Sequence, residues 1–252
     1  MYVVAQISDL HFNGTPGNRA RVHGVLDYLT SCDGPIDALL VTGDLTDHGA
    51  AAEYREALEN LVVPWPRALL LGNHDDRAEF TGVAAGAASA EPVNSALLLP
   101  GTPERPGGLL ILALDSSIPG RADGELSEET LAWAAAQIRA ADGAQVLLAF
   151  HHPPTTIGMP FMDDMRLFDA SGLEQLIADH PNIVGVAVGH AHTAAATVFA
   201  GRPLIVGPGV ASTLNLPVED GGIINASQGP GLVFHLIDGH RMTSHFRVID
   251  SW

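Results

Sequence analysis

The sequence of 252 residues contains one cysteine and no lysine, and both shortages limit what the chain can do. A single thiol, Cys32, allows no internal disulfide and no cysteine-based metal site, so redox chemistry is not expected. All 12 basic residues are arginine, and against 29 acidic residues they leave a formal net charge of −17. A surface this acidic repels a polynucleotide backbone, so we expect no nucleic acid polymer as a partner.

Long hydrophobic runs are also absent. No segment approaches the ~18 consecutive apolar residues of a membrane-spanning helix, and the N-terminal stretch MYVVAQISDLHF has no basic region before its apolar run. We therefore expect no membrane span, no signal peptide and a cytoplasmic protein. A hydrophobic content of 46% over this length can form one large core, so the sequence predicts a single domain over residues 1–252.

Short apolar runs with strand character alternate with amphipathic stretches, which is typical of an α/β layered fold. Continuous apolarity in these runs indicates that both faces of the strands are covered. Residues 194–248 hold only strand-like and loop segments, and we expect them to complete a second sheet packed on the first. The predicted strands are 2–8, 37–43, 67–72, 108–115, 145–150 and 183–189, and the predicted helices are 19–30, 50–62, 127–141 and 169–179.

Five of the predicted strands are followed at once by polar residues that can bind a metal ion. In open α/β sheets the ligand crevice lies beyond the carboxyl ends of the strands, so these side chains should converge if the strands are neighbours. Each motif alone is commonly a turn, but their shared position favours a common site. The residues are Asp9 and His11, Asp44 and Asp47, Asn73 and His74, His151 and His152, and His190 and His192.

The donors in this set are oxygen and nitrogen atoms without a thiolate. Such donors suit Mn, Fe, Zn or Co, and there are more of them than one ion can use. Two ions that share a bridging carboxylate can clamp the attacking and leaving oxygens of a phosphoryl group. The sequence has no GxSxG motif, no P-loop and no suitably placed cysteine, so it predicts metal-dependent hydrolysis of a phosphate ester.

The ordered motifs D-x-H, G-D-x-x-D, G-N-H-D, H-H-P and G-H-x-H, spread over residues 9–192, resemble those of the calcineurin-like metallophosphoesterase superfamily. The resemblance implies an α/β fold, a four-layer αββα sandwich of two mixed β-sheets flanked by helices. Within the superfamily, the stretches GNHDDRAEF, HHPP and LDSSIPG resemble bacterial class III cyclic nucleotide phosphodiesterases and the related glycerophosphodiesterases. That narrower likeness implies a small phosphodiester as substrate.

The resemblance also implies a role for each metal ligand. Asp44 would bridge two divalent or trivalent ions, and the family pattern favours His151 over His152, between which the residues alone could not choose. A hydroxide that bridges the ions would attack phosphorus. One ion would be held by Asp9, His11, Asp44 and His192, and the other by Asp44, Asn73, His151 and His190.

Four further residues are expected to act beside the ions. His74 would be an imidazole that is not a ligand, faces the phosphate and protonates the leaving oxygen. Asp47 would orient His74 through a hydrogen bond. Asp75 and Asp76 are expected to support the ligands or to begin a helix.

The charge of the centre explains an amide at position 73. Two divalent ions carry four positive charges, and Asp9, Asp44 and a hydroxide remove three of them. One positive charge then remains for an anionic substrate, and an aspartate in place of Asn73 would cancel it.

Two other functions stay open on the sequence. A phosphomonoesterase or protein phosphatase could use the same site, and a scaffold could use the fold without catalysis. The segments 155–168 and 207–230 are expected to border the pocket, to form an interface or, for the first, to pack on the helix that follows. Resemblance alone implies a homodimer or a larger homo-oligomer.

Overall fold

A computed structural model describes residues 1–250 of the chain. Strands and helices alternate along most of its length. The strands are β1 (Tyr2–Ile7), β2 (Ala38–Val41), β3 (Arg67–Leu69), β4 (Ser95–Leu99), β5 (Leu109–Ala113), β6 (Gln145–Ala149), β7 (Ile183–Val188), β8 (Ala195–Phe199), β9 (Arg202–Val206), β10 (Thr213–Leu214), β11 (Ile224–Asn225), β12 (Gly231–Asp238) and β13 (Arg241–Val248). The helices are α1 (Pro16–Thr30), α2 (Ala51–Asn60), α3 (Arg77–Ala85), α4 (Glu128–Ala140), α5 (Pro160–Asp163) and α6 (Ser171–Asp179).

Two mixed sheets hold most of these strands. The first sheet has the order β13-β12-β1-β2-β3, in which β1 to β3 are parallel and β12 and β13 are antiparallel to their neighbours. The second has the order β4-β5-β6-β7-β9-β8, with antiparallel strands at both edges. Strands β10 and β11 form a separate two-stranded ribbon.

Three apolar clusters fill the spaces between the layers, and this arrangement confirms the predicted fold class. One cluster joins the two sheets and includes Val4 and Leu40 from the first and Ile111 and Ala149 from the second. A second cluster packs α1 and α2 on the outer face of the first sheet. A third packs α4 and α6 on the second. Strands β2, β5 and β7 are buried along their whole length, which explains their continuous apolarity.

The prediction for residues 194–248 was wrong in one respect, because this part divides between both sheets. Strands β8 and β9 extend the second sheet, whereas β12 and β13 extend the first. Strand β12 pairs with β1 over Tyr2 to Gln6, so the end of the chain covers an edge that β1 would otherwise expose. The helices α3 and α5 and the strand β4 were not predicted from the sequence.

A chain of buried polar side chains connects the two sheets. Gln6 on β1 donates from Nε2 to the Val188 carbonyl oxygen at 2.8 Å and to Thr42 Oγ1 at 2.9 Å. Its Oε1 accepts from His235 Nε2 at 2.8 Å, and His235 Nδ1 lies 2.8 Å from Ser244 Oγ. Burial lowers the pKa of His235 to about 3, so this ring is neutral in the folded protein.

No helix among residues 1–250 is both long enough and apolar enough to cross a bilayer.

The neutral His235 should make the fold sensitive to acid. Below the ordinary histidine pKa of about 6.5 the unfolded chain binds a proton that folded His235 does not, so stability falls as the pH falls toward 3. At pH 5 this one group should lower the free energy of unfolding by about 2 kcal/mol relative to its value at neutral pH. His235→Gln removes the titration, and its free energy of unfolding, measured in urea, should fall less between pH 7 and pH 5 than that of the wild type.

The matched control for that experiment is His245→Gln. His245 is exposed on β13, so its replacement should leave the wild-type pH dependence in place. Parallel pH profiles for His235→Gln and the wild type would contradict the assignment.

Candidate metal centre

The residues of the predicted site leave their strands in an uncommon backbone conformation. Left-handed φ angles cost a non-glycine residue of the order of 1–3 kcal/mol and concentrate at functional sites. Here they turn the chain sharply just after a strand, which returns each side chain to the same edge. Five of the six such residues in the described chain are Asp9 (55°), His11 (45°), Asp44 (48°), His190 (72°) and His192 (53°).

Backbone hydrogen bonds lock these turns together. The Asp9 N–H donates to the Gly43 carbonyl oxygen at 3.1 Å, and the His11 N–H donates to that of Asp44 at 3.0 Å. The His190 N–H donates to Asp9 Oδ1 at 3.1 Å, which connects the end of β7 to the end of β1. The D-x-H, G-D and G-H-x-H motifs are therefore in direct contact.

A first cluster of donor atoms consists of Asp9, His11, Asp44 and His192. One ligand atom from each lies within 4.8 Å of the others. His11 Nε2 is 3.4 Å from Asp44 Oδ2, and His192 Nε2 is 3.5 Å from Asp9 Oδ1. This is the set that the resemblance assigns to one ion.

A second cluster surrounds the other side of Asp44. His151 Nε2 lies 3.4 Å from Asp44 Oδ2, the same oxygen that His11 approaches. The ring centroids of His151 and His190 are 5.1 Å apart. His152 belongs to this cluster as well, because one ligand atom from each of these three histidines lies within 4.8 Å of the others. The structure thus brings together His151, His152 and His190 and places Asp44 between the two clusters.

Unpartnered polar atoms test whether these residues fit a metal. A buried donor or acceptor without a hydrogen bond costs free energy and calls for an explanation. Carboxylate, amide and imidazole atoms are donors that divalent transition metals bind, so a cation fits the site. Four of the five unpartnered atoms belong to the two clusters, and the fifth belongs to Asn73, which lines a cavity together with Asp44 and His190. The buried side-chain atoms without a partner here are Asp9 Oδ2, Asn73 Oδ1, His151 Nε2, His152 Nε2 and His190 Nε2.

The electrostatics of the site also favour positive charge beside Asp44. Burial works against ionisation of Asp44, but the neighbouring His151 and His11 keep the pKa of its carboxyl well below the usual value. Burial likewise opposes protonation of His151, yet the Asp44 carboxylate raises its pKa to about 9. His190 shows the opposite balance, since burial and then the charge of His151 lower its pKa to about 3.

His74 stands beside the clusters at the surface of the cavity. Its side chain is 41% exposed, and its ring centroid is 4.5 Å from that of His11 in an edge-on contact. His74 Nδ1 is 2.9 Å from the Asp47 carbonyl oxygen, whereas Asp47 Oδ1 is 3.8 Å away. The Asp47 carboxylate instead lies 3.1 Å from His11 Nδ1. Asp47 therefore contacts His74 through its backbone, and its side chain orients His11.

The supporting roles expected of Asp75 and Asp76 are confirmed. Asp75 accepts the backbone N–H groups of Leu45, Thr46 and Gly72 at 2.9–3.1 Å, so it fastens the G-N-H-D loop to the G-D motif. Asp76 caps the start of α3, where its Oδ1 accepts the Glu79 N–H at 2.9 Å.

Sequence reasoning missed the groups that orient the other imidazoles. His151 Nδ1 is 2.7 Å from the Thr42 carbonyl oxygen, and His192 Nδ1 is 3.1 Å from that of Ser212. Backbone carbonyls leave no signal in the sequence because any residue supplies one. Ser116 Oγ, 2.8 Å from His152 Nδ1, lies in the LDSSIPG stretch and could have been noticed there.

A cavity of about 490 Å³ opens onto the clusters. Its polar side includes Asp44, Asn73, His74 and His190, and its other side is apolar. No arginine is found among the described residues that line it. Both segments singled out in the sequence contribute to the apolar side, with Phe161, Met162 and Met165 from 155–168 and Leu214, Ile223 and Ile224 from 207–230.

Comparison with known proteins shows the family of the chain. A family model described as calcineurin-like phosphoesterase matches residues 2–194. A cAMP/cGMP dual specificity phosphodiesterase of Mycobacterium tuberculosis is 31% identical over 251 residues, covering 92% of this chain and 75% of that protein. A probable glycerophosphodiester phosphodiesterase GpdQ of Arcobacter nitrofigilis is 31% identical over 209 residues, covering 78% of this chain and 74% of that protein. The chain therefore belongs to the calcineurin-like phosphoesterase family.

Solved structures support the fold independently. The structure of a dimetal phosphatase of Danio rerio covers 99% of this chain, which covers 99% of it, with a TM-score of 0.62 and 12% sequence identity. At this identity the likeness concerns the fold alone. Together with the family match, it confirms the resemblance that the motifs indicated.

Gly72 offers a direct test of the metal centre, because the chain passes very close to the ligands there. A β-carbon at this position would overlap Asp44 Oδ1 and lie 2.7 Å from His151 Nε2. Gly72→Ala should therefore displace ligand atoms and weaken Mn²⁺ or Zn²⁺ binding, measured by calorimetric titration, by roughly tenfold or more.

Gly34→Ala is the matched control, since a β-carbon at Gly34 meets no atom within 4 Å. Its metal affinity should equal that of the wild type. Circular dichroism checks that both variants fold, and wild-type metal binding by a folded Gly72→Ala protein would refute the placement of the centre.

Proposed function

We propose that the chain is a metal-dependent phosphodiesterase that hydrolyses small phosphodiesters with two divalent or trivalent ions of Mn, Fe, Zn or Co. The observation that carries the proposal is the pair of donor clusters that share Asp44 at one side of the cavity. Their unpartnered buried atoms are of the types that these metals bind. The names of the relatives point to cyclic nucleotides or glycerophosphodiesters as the substrates.

Each cluster would hold one ion. Asp9, His11 and His192 would hold the first and Asn73, His151 and His190 the second, with Asp44 as ligand to both. When bound, such ions acidify water and neutralise the charge of a phosphate group. The neutral Asn73 adds no negative charge to this pair, and Asp47 and the Thr42 and Ser212 carbonyls fix the orientation of the imidazoles.

His74 would serve the reacting phosphate directly. Its Nδ1 donates a hydrogen bond to the Asp47 carbonyl oxygen at 2.9 Å, which leaves Nε2 without that partner. When the ring is an imidazolium, its second proton on Nε2 can stabilise charge on a phosphate oxygen and pass to the leaving oxygen, which leaves a neutral ring. The exposure of the ring and its place in the lining of the cavity support this role.

The walls of the cavity favour a diester over a monoester. A phosphate monoester carries a second negative charge at neutral pH, and the described lining offers no arginine to meet it. A diester has organic groups on both sides of phosphorus, and the apolar side formed by Phe161, Met162 and Ile223 can accommodate one of them.

The first experiment joins metal analysis to a substrate panel. The purified protein should contain two transition metal ions per chain and should cleave an aryl diester faster than the matched aryl monoester, with turnover of cAMP or a glycerophosphodiester as well. Faster cleavage of the monoester would indicate a phosphatase. Failure to bind any divalent metal would revive the scaffold alternative and refute the proposal.

The role of His74 predicts a dependence on the leaving group. Proton donation matters most when the leaving oxygen is a poor leaving group, and such catalysis is worth roughly 10²–10⁴-fold. His74→Ala should therefore slow an alkyl diester such as a glycerophosphodiester much more than bis(p-nitrophenyl) phosphate, in kcat measured on metal-loaded protein.

His240→Ala provides the control, because His240 is exposed in the turn between β12 and β13 and does not line the cavity. It should behave like the wild type with both substrates. Equal losses for the two substrates in His74→Ala would leave only an electrostatic role for that ring.

A further inference from the structure

The two adjacent imidazoles of the H-H-P motif differ in the hydrogen-bond partner of Nδ1. His151 and His152 are both fully buried, and Nε2 of each has no hydrogen-bond partner. One ligand atom from each lies within 4.8 Å of the other and of one from His190. A neutral imidazole carries one proton, and only the nitrogen without it can bind a metal. The partner of each Nδ1 therefore decides which Nε2 is a ligand.

His151 has its proton on Nδ1. That nitrogen lies 2.7 Å from the Thr42 carbonyl oxygen, and a carbonyl oxygen can only accept a hydrogen bond. His192 Nδ1 lies 3.1 Å from both the carbonyl oxygen and the hydroxyl oxygen of Ser212, so its partners do not fix its tautomer in the same way. When a cation binds, the His151 ring is neutral, and with its proton on Nδ1 its Nε2 lone pair is available to that cation.

His152 has a different partner, the Ser116 hydroxyl at 2.8 Å from Nδ1. Ser116 Oγ already accepts two backbone N–H groups, that of His151 at 3.2 Å and that of His152 at 3.4 Å. These use both of its lone pairs, so its one hydrogen is left to donate to His152 Nδ1. The reverse arrangement would direct three N–H groups at one hydroxyl oxygen and strand its O–H in a fully buried position.

The His152 ring is also neutral. An Nδ1 that accepts the Ser116 hydrogen has no proton of its own, so the ring cannot be doubly protonated. A neutral ring that accepts at Nδ1 carries its proton on Nε2.

We propose that Ser116 fixes the proton of His152 on Nε2 and thereby makes this residue, which the family pattern already leaves out of the metal ligands, a positioning residue with an N–H to donate. The ring then offers an uncharged N–H donor to the space beside His151 and His190, where it can hold an oxygen atom of a bound ligand. Because Nε2 of His152 is then protonated, it has no lone pair for a cation. The proposed second ion would therefore be held by His151 and His190 together with Asp44 and Asn73. The assignment rests on the proposed function, since it takes this space to be part of a metal centre.

The tautomers can be observed directly in the zinc-loaded full-length protein, which is diamagnetic. Histidine side-chain ¹⁵N–¹H spectra should show His152 with a proton on Nε2 and none on Nδ1, and His151 with the proton on Nδ1. His152→Gln assigns the resonances by difference. A wild-type spectrum in which His152 Nε2 carries no proton would overturn the proposal.

Two further variants test the cause of this tautomer. Ser116→Ala removes the hydroxyl and should shift the His152 proton toward Nδ1. Ser117→Ala is the matched control, because the Ser117 hydroxyl donates to Asp115 Oδ1 at 2.6 Å, and it should keep the wild-type pattern. An unchanged His152 pattern in a folded Ser116→Ala protein would contradict the role of Ser116.

Zinc content gives a second readout that needs no turnover. His152→Gln should keep the wild-type number of zinc ions, whereas His151→Gln should lose one per chain, and equal losses would overturn the assignment. The wild-type spectrum and these counts remain decisive if Ser116→Ala does not fold. A protein with the expected tautomers and zinc content that cleaves no diester would refute the proposed function and leave this inference standing.

Discussion

The carboxylate of Asp44 is the group on which the rest of the site depends. It is 2% exposed, and one of its oxygens lies 3.4 Å from His11 Nε2 and 3.4 Å from His151 Nε2. A buried negative charge requires positive charge or hydrogen bonds around it. The His74 N–H donates to its other oxygen at 2.9 Å, and Gly72 leaves room beside it because it has no side chain. The left-handed backbone at Asp44, the buried imidazoles around it and the absence of a β-carbon at Gly72 all accommodate this carboxylate.

The sandwich architecture determines whether the donor clusters from the two sheets can both approach Asp44. Strands β1 to β3 of the first sheet supply Asp9, Asp44 and Asn73, and β6 and β7 of the second supply the histidines that follow them. The site therefore spans two sheets that share no strand. The hydrogen bond from Gln6 to the Val188 carbonyl oxygen fixes the end of β1 against the end of β7, close to both groups of ligands. Packing between the sheets thus controls the spacing of the donors, and His235 belongs to the same buried network.

The sequence indicated which of these side chains would lie together because strand-ending motifs depend on residue type. Asp9, Asp44 and His190 could be found since few residue types act as ligands and since all of them follow an apolar run. Other features had no such signal. The anchors of His151 and His192 are backbone carbonyls, and the division of residues 194–248 between two sheets depends on which edge strand is left unpaired. The partner of the Asp47 carboxylate likewise follows from three-dimensional proximity alone.

Charge links the binding of substrate to the chemistry. The chain carries a net charge of −17, and no arginine lies among the described residues of the cavity lining. The protein surface itself therefore does not attract an anion to the cavity. In the proposed centre the same cations that attract the phosphate also activate water, so affinity and reactivity depend on one local excess of positive charge. A third carboxylate in place of Asn73 would reduce both together. The proposed neutral donors, the amide of Asn73 and the His152 N–H, would bind or orient ligands without lowering that positive charge.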